Sequence, residues 1–384
     1  MSNDKTFEKC ARASLVVNLD HVANNIRTIR SIIGSAPMIM AVVKADGYGH
    51  GSCEVAKAAL DAGAAWLGVA TVQEGVKLRE AGIQAPTLIL SPVFEEEFET
   101  LLLNNLAAPF FSFEACEKIS NLAARLGKTA NIHITIDTGM NRIGFNAQNA
   151  DIVVSEILAI SALPNINIEG IYTHFAASAD NEEFTHTQFA RFSNIVQLLD
   201  EAGLHIPIKH TANSGATLYH PECHLDMVRC GIILYGLSPC STPDGAQKLM
   251  ELGFKPIAAL KSRVSQVKTV KKGESVGYSR TYYAQDDITV ATVPIGYADG
   301  ISRHLSNKGK VLINGHICDI IGTVCMDQLM VNATGANAKL RDEVIFIGHS
   351  GDKHICAEDV AKIQGSINYE VATSLSLRIA KKFI

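Results

Sequence analysis

Between about residues 36 and 234, short β-rich apolar runs alternate with stretches whose apolar residues recur every three or four positions, the spacing of helices that pack one face on a sheet. The runs at 38–43, 66–70, 86–90, 107–111, 131–136, 168–173, 206–211 and 227–230 read as strands, and 52–62, 72–81, 94–104, 112–126 and 184–202 as helices between them. Eight strand-and-helix units predict an α/β fold, a (β/α)8 barrel of the TIM type. An open doubly wound sheet alternates in the same way, but the Gly-x-Gly-x-x-Gly turn that such a sheet often carries after its first strand is absent.

Beyond residue 242 the texture changes. Strand-like runs at 257–270, 288–293, 310–313, 317–324, 328–332 and 343–347 follow one another through turns at Lys272-Gly-Glu, Asn314-Gly and Gly351-Asp, with no long helix expected until 357–364. This predicts a mainly β domain. The expected division is a barrel over 12–241 and a β domain over 242–384, with Ser241-Thr-Pro-Asp-Gly245 as linker. Residues 1–11 are left to pack against either part, the C-terminal one included.

Of the 384 residues, 47% are hydrophobic and 19% charged, with 11 prolines and no biased tract, which describes a globular chain able to bury a large core. A net charge of −5 without a dense Lys/Arg run offers no footprint for nucleic acid or an anionic membrane and favours small-molecule partners. The N-terminal stretch lacks a charged-then-apolar signal pattern and no run is long enough to span a bilayer, so a cytoplasmic location is expected. The nine cysteines lie without a Cys-x-x-Cys pair, so neither a zinc site nor a disulfide framework is read, and most are expected to be small core residues. No metal ligand set is assigned.

The most informative stretch is Met38-Ile-Met-Ala-Val-Val-Lys-Ala-Asp-Gly-Tyr-Gly-His50, in which an apolar run delivers Lys44 onto a glycine-rich loop. A lysine in that place can be a solvated strand cap. At the edge of an apolar core, however, desolvation disfavours its charged form, and that is how an amine becomes a nucleophile toward a carbonyl. In a barrel, chemistry gathers at the C-terminal ends of the strands. Here those ends carry Lys44 with Tyr48, Asp137 to Arg142, Tyr172 to His174, His210 to Ser214, and Arg229 before Gly231 and Ile232. Each taken alone reads as a turn glycine, a salt-bridge arginine or a structural histidine; together they suit an anionic aromatic ligand with a carbonyl. Ser214 and the amides around Gly231 and Ile232 are candidates for a phosphate.

At these residues the chain resembles the alanine racemases, pyridoxal 5′-phosphate enzymes of fold type III. The resemblance runs through Ala41 to Gly51, Asp137-Thr-Gly-Met-Asn-Arg-Ile-Gly144, Gly170-Ile-Tyr-Thr-His-Phe175, Ala212-Asn-Ser214, Val228-Arg-Cys-Gly-Ile232, Val276-Gly-Tyr278, Pro294 to Gly300, Cys325-Met-Asp327 and Ile367-Asn-Tyr-Glu370. It implies interconversion of L- and D-alanine, a supply of D-alanine for peptidoglycan, and a homodimer with shared active sites. By the same resemblance Lys44 carries the cofactor, while Tyr48, Asn213, Ser214, Gly231, Ile232 and Tyr369 line its phosphate side. Arg229 faces the pyridine nitrogen with His174 beside it, and Arg142 reaches the phenolic oxygen. Lys44 and Tyr278, the latter donated by the partner subunit, are the two bases. Arg142 and the Met326 amide hold the substrate carboxylate, and Tyr297 and Arg303 line the entrance.

Some positions depart from the family pattern. Thr135 stands where many members carry a carbamylated lysine, so a bound anion or water is expected to order Arg142 instead. Thr323 stands where an arginine is frequent, the 176–180 segment is one residue longer than usual, and Arg378-Ile-Ala-Lys replaces the usual C-terminal motif. Rival readings are a decarboxylase of the same fold class, whose glycine-rich phosphate loop and Cys-containing second-domain motif are not found here, a non-catalytic cofactor carrier, which would lack residues 242–384, and a broad-spectrum racemase.

Overall fold

The computed structural model describes residues 11–240 and 242–384. They form two compact units, one of residues Ala23–Gly47 and Ser52–Leu234, the other of residues 11–22, Tyr48–Gly51 and Tyr235–Ile384. The expected packing of residues 1–11 lies, but for the last of them, outside the described residues.

The first unit is the barrel expected from the alternation. Its parallel strands are Met38–Val42, Trp66–Val69, Thr87–Ile89, Ala108–Phe110, Ala130–Asp137, Ile166–Tyr172, Ile208–His210 and Met227–Cys230. The last pairs with the first in parallel register, Arg229 opposite Met40. Between the two continuous ladders, single contacts close the ring: Leu88 bridges Ala107, and the Arg229 amide donates to Ala212 O at 2.9 Å. Helices such as Ser52–Asp61, Val72–Glu80, Phe113–Leu126 and Glu182–Glu201 follow the strands. Their caps are legible in the sequence. Thr71 and Glu74 form a capping box, and Ser112 and Asn181 accept from amides three residues on.

The second unit is built on a ten-stranded sheet. Two of its hairpins turn through two residues: Asn314 and Gly315, both at positive φ, join Ile313 to its partner His316, the signature of a type I′ turn, and Gly351-Asp352 joins Ser350 to Lys353. The run expected over 257–270 breaks into Ala258–Arg263 and Gln266–Val270, which pair with different neighbours. One strand belongs to this sheet although it lies ahead of the barrel in sequence: Ala13–Val17 pairs antiparallel with Ala258–Arg263 and parallel with Ala380–Phe383.

Three expectations are corrected. Ser241 lies outside the described residues, but the rest of the expected linker opens a helix, Pro243–Glu251, whose Thr242 side chain accepts from the Gly245 amide at 3.0 Å. Threonine followed by proline is a helix start as well as a loop signal, and here the capping role prevails. That helix also precedes the one at Ala357–Gln364, which had been expected to be the first in the β domain. Of the eight described cysteines, all free, Cys116, Cys223, Cys230 and Cys318 are buried and the others half-buried, so only half serve as core.

Candidate active site

Lys44 comes two residues after the first barrel strand, and Ile39 to Val43 before it are all buried. Past it the backbone turns left-handed for four residues, with φ of 51°, 53°, 63° and 51° at Ala45, Asp46, Gly47 and Tyr48. That conformation costs an L-residue roughly 1–2 kcal/mol, so it persists only where side chains hold it. Glu74 does so from the next helix: its carboxylate accepts from the Ala45 amide at 2.7 Å and from Ala70 at 2.7 Å. Asp46 Oδ1 accepts from Lys77 Nζ at 2.7 Å and from the Ser52 amide and hydroxyl, both at 3.3 Å. The Lys44 amine therefore rests on a braced turn. Burial, then the positive charge of Arg142, push its pKa down, with Glu74 partly opposing them.

Arg142 is set by a carboxylate. Asp137, the last residue of the fifth strand, accepts from the amides of Gly139, Asn141 and Arg142 at 2.9, 3.0 and 3.1 Å. A Cβ at Gly144, where φ is +121°, would lie 2.6 Å from the Asp137 nitrogen, so the loop closes only with glycine there. From the helix behind, Arg191 donates to Thr138 O at 2.7 Å, and Gln188 to Thr138 Oγ1 at 3.1 Å and His174 O at 3.2 Å. One helix thus supports the loops of both Arg142 and His174.

Arg229 is buried, with only 4% of its surface exposed. Its Nη1 donates to His210 O at 2.8 Å and to His210 Nδ1 at 3.1 Å; its Nη2 donates to Thr173 O at 2.8 Å, Thr211 O at 3.0 Å and His174 Nδ1 at 3.4 Å. The guanidinium also lies 5.2 Å from the centre of the Tyr172 ring. Burial lowers its pKa to about 10, which leaves it charged at neutral pH. His174 is held far below its ordinary value by burial and by the positive charges of Arg229, Arg142 and Lys44, which places these four side chains in one electrostatic neighbourhood. His210 is lowered in the same sense by burial, Arg229 and His133.

A guanidinium has donors only. His210 Nδ1 must therefore accept, its Nε2 carries the proton, and that N–H points at His133 Nδ1 2.9 Å away. His133 in turn presents its Nε2–H toward Glu169, at 3.6 Å. Sequence reading did not see this buried line of imidazoles, because single histidines inside strands give no signal of which neighbours they will meet.

Ser214 begins a short helix capped by Asn213, whose Oδ1 accepts from the Ala216 amide at 3.1 Å and from Ser178 Oγ at 2.6 Å. Ser214 Oγ accepts from the Gly231 amide at 3.0 Å, and the turn Ile232–Tyr235 starts immediately after. Ser214, Gly231 and Ile232 are thus adjacent, as the phosphate reading requires.

The remaining candidates belong to the second unit. Tyr48 is buried and its ring lies 4.7 Å from that of Tyr235 and 6.1 Å from that of Tyr369; burial pushes its phenol up. Tyr278 sits in the loop of the Ser275–Val276/Tyr282–Tyr283 hairpin and is 71% exposed. Thr323 Oγ1 donates to the Tyr278 carbonyl at 3.1 Å, so the threonine that replaces the frequent arginine fixes that loop. Met326 and Tyr297 are exposed and tied together by backbone: the amides of Tyr297 and Ala298 donate to Cys325 O and Met326 O, both at 3.0 Å. Arg303, also exposed, opens the turn Arg303–Leu305. Nearby in this unit, the buried Asp299 accepts from Arg12 at 2.8 Å, and Arg378, from the atypical C-terminal motif, pairs with Asp299 at 3.3 Å and Asp327 at 2.6 Å.

A closed α/β barrel with a deprotonation-prone lysine and two arginines at its strand ends, joined to a β domain, defines a barrel enzyme of amine and carbonyl chemistry. The chain belongs to the alanine racemase family: residues 17–239 match the family's N-terminal domain and residues 257–383 its C-terminal domain. It is 42% identical to the alanine racemase of Clostridium perfringens (strain SM101 / Type A) over 95% of this chain and 93% of that one. Among solved structures it superposes on the alanine racemase of Clostridium difficile 630 with a TM-score of 0.91 and 38% identity, covering 98% and 96% of the two chains. It superposes on that of Bartonella henselae, with covalently bound pyridoxal phosphate, with a TM-score of 0.85 and 27% identity, covering 97% and 100%.

Proposed function

We propose that the protein interconverts L- and D-alanine by exchange of the α-proton, using pyridoxal 5′-phosphate carried by Lys44. The carrying observation is the lysine amine of lowered pKa beside Arg142, His174 and Arg229 at the strand ends of a barrel from this family. The donor set fits such a group: an amine for its aldehyde, a hydroxyl and amides at Ser214, Gly231 and Ile232 for its phosphate, and a buried arginine for its ring. Asn213 orients Ser178 and the Ser214 helix, and Tyr48 and Tyr369 are assigned to the phosphate side. When bound, the cofactor supplies an electron sink for the charge left at Cα.

The chain's own part is to hold and move a proton on two opposite faces of Cα. Lys44 Nζ serves one face, and its lowered pKa raises the fraction of free amine available as a base. The hydroxyl of Tyr278 of the partner subunit serves the other, so that neither enantiomer is privileged. Arg142 and the amide of Met326 of the partner subunit bind the substrate carboxylate, and Tyr297 and Arg303 restrict the entrance to a small side chain. Arg229, charged and with donors only, would oppose protonation of the ring nitrogen and so moderate the sink. No described helix is long and apolar enough to cross a membrane. We further propose a cytoplasmic homodimer that supplies D-alanine for peptidoglycan.

The test is incubation of the cofactor-loaded protein with L-alanine in deuterated water, followed by chiral separation and mass analysis. Deuterated D-alanine is the expected product. A folded, yellow protein that yields no D-alanine would overturn the reaction while leaving the cofactor assignment standing.

A further inference from the structure

On the flank of the barrel unit, His186, His220 and Glu222 each point a ligand-type atom at a common position, all within 4.8 Å of one another. His186 comes from the helix Glu182–Glu201, and His220 and Glu222 from the segment after the short helix Ser214–Tyr219. His186 Nε2 lies 3.1 Å from Glu222 Oε1 and His220 Nδ1 lies 3.4 Å from the same oxygen. Those two separations, the first a hydrogen bond in the ion-free site, match edges of a tetrahedron, since ligands about 2.0–2.1 Å from a zinc ion stand about 3.3 Å apart.

One ligand is set in advance. His220 is buried, and its Nε2 donates to Ser178 O at 3.1 Å, which leaves the Nδ1 lone pair facing the cluster. A histidine whose second nitrogen is bonded to a carbonyl is the arrangement that orients metal-binding imidazoles. His186 is 51% and Glu222 43% exposed, so the fourth position opens to water.

We propose that His186, His220 and Glu222 bind a divalent transition-metal ion of the zinc class, which fastens the helix Glu182–Glu201 to the 220–223 segment. Two imidazoles and one carboxylate with an open position suit zinc, nickel or copper and disfavour magnesium and calcium, which take oxygen ligands. The same helix carries Gln188 and Arg191, and Ser178, which accepts from His220, donates to Asn213. The ion would therefore brace the loops that carry His174 and Ser214 without touching either. The inference does not depend on the reaction assigned above.

The experiment titrates zinc chloride, with magnesium chloride as control, into metal-free holoenzyme by isothermal titration calorimetry, beside the variants His186→Ala and Glu222→Gln. One zinc per chain, no magnesium binding, loss of that site in both variants and a zinc-dependent rise in Tm confined to the wild type are expected. His186 is half exposed, so its variant should fold and retain activity, which circular dichroism and the racemisation assay check. Zinc heats of equal stoichiometry and affinity in wild type and His186→Ala would place the ion at another site and overturn the proposal, as would the absence of zinc binding to the wild type.

Discussion

Arg229 fixes the tautomer of His210, and through it the protons of His133: three buried side chains on three barrel strands take one order because the first has nothing but donors. All the imidazoles concerned are held neutral. His133, His174 and His210 have folded pKa values below the ordinary value, about 6.5, so below that pH the unfolded chain binds protons the folded one refuses. Stability is then complete above about pH 6.5 and is lost progressively as pH falls toward the folded-state values. Thermal-denaturation midpoints measured across this range should fall with pH; a midpoint unchanged between about pH 7 and pH 5 would contradict the buried neutral histidines.

Gly170 makes room for that line. A Cβ there would lie 2.4 Å from His133 Nδ1, an atom already committed to His210 and set in a ring packed edge-on to Trp66. Gly170→Ala should destabilise the protein by roughly 1–3 kcal/mol, the usual cost of overpacking, and denaturant titration with an unchanged m-value reads it directly.

Tyr278 offers the sharpest separation of activity from stability. With 71% of its surface in solvent, Tyr278→Phe should alter unfolding free energy by less than about 0.5 kcal/mol. If its hydroxyl is the second base, racemisation falls by about 10²–10⁴-fold, and solvent deuterium enters the enantiomer whose α-proton faces Lys44 faster than its product appears. A variant racemising as fast as wild type would remove Tyr278 from the mechanism.

Thr135 and Tyr172 stand opposite each other in the register of the fifth and sixth barrel strands, both buried, with the Thr135 hydroxyl acting on the Tyr172 phenol. Arg142 and Arg229 both act electrostatically on Tyr172. Two buried hydroxyls beside two cations suit an anion. Bromide-soaked crystals should give an anomalous peak there; a map with neither peak nor ordered water would show that Arg142 is held by its Asp137-bound loop alone.

Because Tyr278 and Met326 are assigned to the partner's site, activity should follow the dimer. Sedimentation velocity and racemase assays over a common dilution series should lose the dimer and the rate together, whereas an active monomer would refute a shared site.

The barrel was legible because its helices and strands differ in period, and all eight strands fall within two residues of their expected starts. The positions at the strand ends were legible because a barrel sends chemistry there. What was not legible depended on long-range pairing. Ala13-Ser-Leu-Val-Val17 alternates too briefly to announce a strand, and its partners lie near the far end of the chain. Glu74 closes a capping box with Thr71, but the sequence could not say that its second oxygen would reach the amide beside Lys44. The metal-type cluster draws on residues from two segments that only the fold brings together.

The strand Ala13–Val17 also has a bearing on how the molecule is made. It leaves the ribosome first among the described elements, yet its partners at Ala258–Arg263 and Ala380–Phe383 are synthesised after the whole barrel. Until then a short apolar strand waits with both edges open, the state most exposed to pairing with another nascent chain. A short strand is a poor template for such pairing, so yield of soluble protein, rather than activity, is where a more apolar or longer strand at 13–17 would first be felt.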